Sequence, residues 1–315
     1  MDCVNLDAIQ PKTATMNFFS ILIALLLEQY RTVSSQAKVF ALFDRYASSL
    51  DDLLNSGERH HGIAAWVLAV APVLLVFGTL SLLSGWLGAG LGWVIDVLVL
   101  TLVLDFRSTL NRLSTLQADL RHMERSQVAE RLGFPGVTAP ALPELVARGI
   151  ELAIVDIHSH LLAVLFWYCL LPGPTGALLY LMALRLNQIW GSETQTDFGH
   201  FSRTAFYWLD WIPLRLTALA FAIVGNFEDS LFCWRTQASG NRAALRIVLA
   251  SAAGALGIRL GDASSPNRLY GGLDLGVGEA PDMDHLRSAE GMIWRTLVLW
   301  LLIIALMTIA AMVGG

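Results

Sequence analysis

IAAWVLAVAPVLLVFGTLSLL, residues 63–83, runs for 21 positions without a charged side chain. A helix needs about 20 such residues to cross a hydrocarbon core about 30 Å thick. This stretch therefore reads as a membrane span and sets the fold class. Working outward, residues 88–106 form a return segment whose apolar part, 91–104, is broken only by Asp96. Gly85-Trp86-Leu87-Gly88 reads as the turn between the two. Residues 161–184 are a third long candidate, interrupted at Pro172-Gly173-Pro174. They predict one kinked span or a re-entrant pair, because backbone broken at membrane depth must be lined by protein or water. Residues 212–225 are a short candidate beside Pro213, and 296–313 are the last. Residues 18–27 are ten apolar positions followed by Glu28-Gln29-Tyr30-Arg31. That length suits a signal h-region, a short anchor or a re-entrant segment. With no small-residue cleavage site after it, the segment is expected to be retained.

Composition agrees. The 315 residues are 55% hydrophobic and 15% charged, with a mean hydropathy of +0.56. Soluble domains carry about a quarter charged residues. The formal charge of −5 is spread over the chain with no basic tract, so nucleic acid is not an expected partner. Cys3, Cys169 and Cys233 share no metal or disulfide spacing. The reading is an all-α, polytopic integral membrane bundle with four to six membrane segments and cytoplasmic amphipathic helices. Residues 1–15 read as a disordered lead, and 16–315 as a single membrane domain. The bilayer is the expected partner, and a bacterial inner membrane the expected location.

Lys and Arg placement orients the chain. Residues 31–62, 107–159 and 226–295 carry most of the arginines, and the tip at 84–92 carries none. The three basic segments are expected on the cytoplasmic side. Residues 185–211 would then face outward, although they carry Arg185 and Arg203. Leu110, Leu113, Leu116 and Leu120 recur at helical spacing between charged residues. Val39, Phe40, Phe43, Tyr46 and Leu50 mark another amphipathic helix, and residues 242–256 a third, rich in Ala. Residues 261–281 read as a long loop.

Several residues carry chemistry. Asp156, His158 and His160 offer a carboxylate and two imidazoles within five positions, a donor set for a divalent metal. On a helix the two rings would point about 200° apart, which suits one ion poorly. The bland reading is a polar helix entry at the membrane interface. His60-His61 likewise reads as an interfacial cap rather than a site. Asp96 is expected to face protein, either as an ion, proton or ligand contact or as a helix–helix hydrogen bond. Arg185 and Asn187, at the end of the third candidate, are candidate cavity residues. Most of the tryptophans near span ends fit aromatic belts at the headgroup level.

Three blocks resemble one family. The first is Glu151 through Phe166-Trp167, with Gly176-Ala177-Leu178-Leu179-Tyr180 and 186–191. The second is Phe198-Gly199 through Pro213 and Arg215-Leu216, containing Leu209-Asp210-Trp211. The third is Gly254-Ala255-Leu256-Gly257-Ile258-Arg259-Leu260-Gly261, then Tyr270-Gly271-Gly272. Together they resemble the superfamily of the CobD/CbiB adenosylcobinamide-phosphate synthases and AmpE, a membrane protein linked to β-lactamase induction. The synthase resemblance implies ATP-dependent amide formation between adenosylcobyric acid and aminopropanol phosphate, with Mg²⁺ and ATP as cofactors.

The sequence departs from the synthase pattern. Val155 stands for a second Glu, Ser159 for an Asp, Asn187 for an Asp, and Phe206-Tyr207 for two acids. Magnesium and phosphate chemistry draws on carboxylates. The remaining set, Glu151, Asp156, Arg185, Asn187, Asp210, Arg215 and Arg259, suits a phosphate-bearing or other anionic ligand. The segment LDW-x-P-x-RL and the opening at Met16 are AmpE-like. The expectation is therefore an AmpE-like regulatory or sensor protein reading a small phosphate-bearing or envelope-derived ligand. The alternative is the cobamide amide-forming step itself.

Overall fold

The computed structural model describes residues 10–30, 34–87, 89–133, 141–171, 173–191, 197–238, 243–260 and 275–314. Residues 1–9 of the expected lead, Gly88 of the hairpin tip, Pro172, Arg242, and residues 261–274 with Tyr270-Gly271-Gly272 lie outside the described residues.

The described residues are helical, with only two isolated bridges, Ile258 to Glu279 and Leu260 to Leu275. The helices in chain order are α1 (Gln10–Tyr30), α2 (Ser34–Leu54), α3 (Arg59–Leu87) and α4 (Ala89–Val103). Next come α5 (Phe106–His122), α6 (Arg125–Arg131) and α7 (Leu142–Ile157), which passes through a π-helical turn, His158–Leu162, into α8 (Ala163–Leu170). They are followed by α9 (Thr175–Ile189), α10 (His200–Val224), α11 (Phe227–Gln237), α12 (Ala243–Leu256) and α13 (Met283–Gly314).

Four helices are long and apolar enough to cross a membrane: Arg59–Ser81, Leu142–Leu170, His200–Val224 and Met283–Val313. The chain is a multi-pass, all-α membrane protein. Residues 63–83 and 296–313 fall within α3 and α13. The segment 161–184 divides, because α8 ends at Leu170 and α9 starts at Thr175. The apolar length is drawn instead from the N-terminal side, where Arg148, Glu151 and Asp156 hide it in the sequence. Residues 212–225 are the second half of α10. At 15 residues, α4 is short of a full span.

Two compact units divide the chain. One holds the described residues of Met1–Asp105, Ser159–Asp210 and Leu302–Gly315, and the other holds Phe106–His158 and Trp211–Leu301. In the first unit, Ala47, Leu50, Ala65, Ala69, Val70, Met182, Leu186, Trp190 and Phe198 form a core joining α2, α3 and α9. Small residues on α3 let the helices approach. Its opposite face presents Val67, Leu68, Leu75 and Val76, exposed and apolar as a lipid-facing surface requires.

Two of these spans carry proline in the helix interior, and each is accommodated the same way. Pro72 lies inside α3 and Pro213 inside α10. Proline has no N–H, so the carbonyl four residues earlier loses its helical partner. For Pro72 that carbonyl is Leu68, and the Tyr46 hydroxyl donates to it at 3.0 Å. For Pro213 it is Leu209, and Trp167 Nε1 donates to it at 3.1 Å.

In the second unit, α5, α6 and α12 pack on α7, and α11 packs on α12. A Cβ at Gly254 would lie 2.5 Å from the Asp229 carbonyl oxygen, so only glycine admits this α11–α12 approach. Beside it the Ser251 hydroxyl donates to the Ala218 carbonyl at 2.6 Å, and Ser230 Oγ sits 2.6 Å from Ser251 Oγ.

Candidate functional site

The candidate residues are distributed over both units. Glu151, Asp156, His158, Arg215 and Arg259 belong to the second; His160, Arg185, Asn187 and Asp210 belong to the first.

In the second unit the chemistry centres on α7. Its start is fixed by Glu144, whose carboxylate accepts from the Ala141 N–H at 3.3 Å. Gly149 lies against Leu116 of α5, where a Cβ would meet the Leu116 side chain. That close approach brings α5 arginines to α7 acids. Arg112 Nη1 donates to Asp156 Oδ2 at 2.5 Å, with Arg112 65% exposed and Asp156 22%. One turn before Glu151, Arg148 Nη1 lies 3.6 Å from its Oε2, and Arg148 Nε donates to the Leu132 carbonyl at 3.3 Å. Arg131 of α6 pairs with Asp119 of α5 at 2.8 Å. The result is an α5–α6 surface that exposes Arg112 and Arg131 beside their carboxylate partners Asp156 and Asp119, with the Arg148–Glu151 pair largely enclosed. Such a surface can take a polyphosphate through guanidinium forks while the carboxylates accept protons.

His158 is fully buried, and its Nδ1 lies 3.0 Å from Thr217 Oγ1 on α10. With Asp156 held by Arg112, these two members of the Asp156, His158 and His160 set each have a protein partner. Arg215 stacks over Trp211 at 3.9 Å and donates to the Trp211 carbonyl at 2.8 Å. Arg259 Nε donates to the Gly278 carbonyl at 2.8 Å.

In the first unit, Arg185 Nη1 lies 3.7 Å from Asp44 Oδ2 and over the Phe40 ring at 4.8 Å. Asn187 sits beside Gly191, whose carbonyl accepts from Arg203 Nη1 at 3.2 Å. A Cβ at Gly199 would meet the Trp190 carbonyl, so the 197–200 turn lies directly on the end of α9. Asp210 is 3% exposed and accepts from the Tyr180 hydroxyl at 2.8 Å. Asp96 on α4 lies near Gly173, whose Cβ would be 3.6 Å from Asp96 Oδ1.

In the sequence Arg112 and Arg148 serve only as orientation markers, Tyr180 only as part of a resemblance block, and Asp44 carries no signal. The Arg148–Glu151 spacing of three residues was a legible signal. Nothing local marks Arg112, which is 44 residues from its partner.

The CobD/Cbib protein family model matches residues 21–292. The cobalamin biosynthesis protein CobD of Stutzerimonas stutzeri (strain A1501) is 32% identical over 302 residues, 91% of this chain and 96% of that protein. The protein of the same name from Chromobacterium violaceum is 29% identical over 253 residues, 76% of this chain and 73% of that one. No solved structure matches the chain. These similarities overturn the AmpE-like regulatory or sensor reading. That reading rested on the LDW-x-P-x-RL segment, the opening at Met16 and a handful of missing acids, whereas the similarity to the Stutzerimonas stutzeri protein named for cobalamin biosynthesis runs over 91% of the chain. By the extent of the match, this multi-pass membrane chain belongs to the CobD/CbiB family.

Proposed function

We propose that the protein acts in cobamide biosynthesis, at the ATP-dependent joining of the corrinoid carboxyl of adenosylcobyric acid to the amine of an aminopropanol phosphate, in a bacterial inner membrane. The observation that carries the reading is the near full-length similarity to a protein named cobalamin biosynthesis protein CobD. The α5–α6–α7 surface is consistent with it, because both ATP and the amine substrate bring phosphate.

In this reaction ATP phosphorylates the corrinoid carboxylate and leaves as ADP. The amine nitrogen attacks the acyl carbon, the acyl–oxygen bond breaks, and inorganic phosphate and one proton leave. Arg112, the more exposed member of its pair, is placed to exchange Asp156 for a substrate phosphate. That exchange would free Asp156 to accept a proton from the attacking amine. Arg148 is half of a more enclosed pair, and its role is to hold Glu151 in place. The resemblance implies Mg²⁺, but Glu151 and Asp156 are each engaged by an arginine. Those pairings leave neither carboxylate open to Mg²⁺ in this arrangement, and no step is assigned to a metal.

Complementation tests the reading. A synthase-deficient bacterium fed cobyric acid under cobalamin-requiring conditions should grow when it carries this gene. It should remain dependent on cobinamide when the chain carries Asp156→Ala. Failure of the wild-type chain, expressed in the membrane, to restore growth on cobyric acid would sink it.

A further inference from the structure

We propose that Glu58, His60 and His61, at the start of α3, form a binding site for a borderline divalent cation of the Zn²⁺ type. Among the described residues they are the group of three metal-ligating side chains whose ligand atoms all lie within 4.8 Å of one another. Two imidazoles and a carboxylate are the donor set of an open zinc site, with a remaining position for water or a further ligand.

The local chain builds this group. Asn55 Oδ1 accepts from the Gly57 N–H at 3.1 Å, and Gly57 takes φ +83°, which turns the chain sharply into the helix. The turn brings Glu58 back to His60, whose Nδ1 lies 3.2 Å from Glu58 Oε2. The two rings lie with centroids 4.0 Å apart. Ser56 Oγ sits 2.6 Å from His61 Nδ1, the kind of outer partner that fixes ring orientation in metal sites. Next to them a Cβ on Gly62 would meet the Phe198 carbonyl oxygen, so the start of α3 is clamped against the 197–200 turn. A site on rigid backbone loses less order when it binds. The helix start opposes a cation through its dipole. Glu58 supplies the compensating negative charge, and with His60 and Glu58 about two-thirds exposed a hydrated cation has direct access. Two imidazole nitrogens favour Zn²⁺ over Mg²⁺ or Ca²⁺, which prefer all-oxygen shells.

The test uses the untagged full-length chain in detergent micelles, titrated with Co²⁺ as a spectroscopic probe and back-titrated with Zn²⁺. One Co²⁺ per chain should bind, with visible d–d absorption that Zn²⁺ abolishes. His61→Ala should weaken binding at least about tenfold. Glu58→Gln, a near-isosteric change at an exposed position, should weaken it as well, and His122→Ala, on a different helix, should not. Absence of stoichiometric Co²⁺ binding to the wild-type chain overturns the proposal. Binding unchanged by both His61→Ala and Glu58→Gln, or abolished by His122→Ala, overturns it equally.

Discussion

Trp167 Nε1 donates a hydrogen bond of 3.1 Å to the carbonyl of Leu209, the group that Pro213 deprives of its helical partner. An unsatisfied backbone group in the hydrocarbon region costs several kcal/mol. Tyr46 serves Leu68 in the same way four residues before Pro72. Both donors come from other helices, so each also fixes how a proline-containing helix packs.

Trp167→Phe keeps the ring and removes the donor. It should destabilise the protein by about 1–3 kcal/mol. The double variant with Pro213→Ala, which restores the N–H, should recover part of that loss. Thermal unfolding in detergent reads both. Equal midpoints for wild type and Trp167→Phe would show that the bond contributes nothing.

Asp210 sits buried with the Tyr180 hydroxyl at 2.8 Å. Tyr180→Phe should cost about 1–3 kcal/mol, because a buried acceptor loses a donor. Removing the acid as well, in Tyr180→Phe with Asp210→Leu, should cost less than the sum of the single changes. A double-mutant cycle on denaturation midpoints checks this, and strict additivity would contradict it.

Much of the fold was legible and part was not, for reasons visible in single residues. Residues 63–83 carry their span openly, since one run of apolar side chains suffices for a helix in lipid. The span Leu142–Leu170 was misplaced because Arg148, Glu151 and Asp156 break its apolar run, and the Arg112 partner of Asp156 is set by tertiary packing. Asp210 was legible as a candidate ligand residue of the Leu209-Asp210-Trp211 block, but Tyr180, thirty residues earlier, was invisible as its donor. The His60-His61 pair reads as a cap until the Gly57 turn brings Glu58 beside it.

Gly254→Ala would place a methyl group 2.5 Å from the Asp229 carbonyl oxygen and 2.7 Å from the Ser230 Cα. Backbone cannot rotate away as a side chain can, so the α11–α12 pair must shift. A loss of about 1–3 kcal/mol is expected. Gly90→Ala, in a helical site with nothing within 4 Å, should be neutral or stabilising by up to about 1 kcal/mol. Comparing the two midpoints separates crowding from a general intolerance of alanine.

Asp282 accepts from the Asp284 and His285 N–H groups at 3.0 and 3.2 Å, capping the start of α13. Desolvation acts to raise its pKa. Hydrogen bonds from His285, side chain and backbone, the His285 charge and the Asp284 N–H outweigh it and hold the carboxyl below its ordinary value. The folded value is the lower one, so the contribution is complete above the unfolded pKa of about 3.9. It is lost as pH falls through the folded value. Wild type should be more stable than Asp282→Ala at pH 7, and the gap should close in acid below about pH 4. A gap that widens on acidification would reverse the assignment.

The central claim is that this chain forms an amide bond in cobamide biosynthesis, using the arginine and carboxylate surface of α5 and α7. The direct measurement incubates purified protein in lipid vesicles with adenosylcobyric acid, aminopropanol phosphate and ATP, and follows the corrinoid product by mass together with ADP release. Stoichiometric amide and ADP are expected from the wild-type chain, with at least about a tenfold loss in Asp156→Asn. Vesicles holding folded protein that yield neither product, with all three substrates present, would contradict the account.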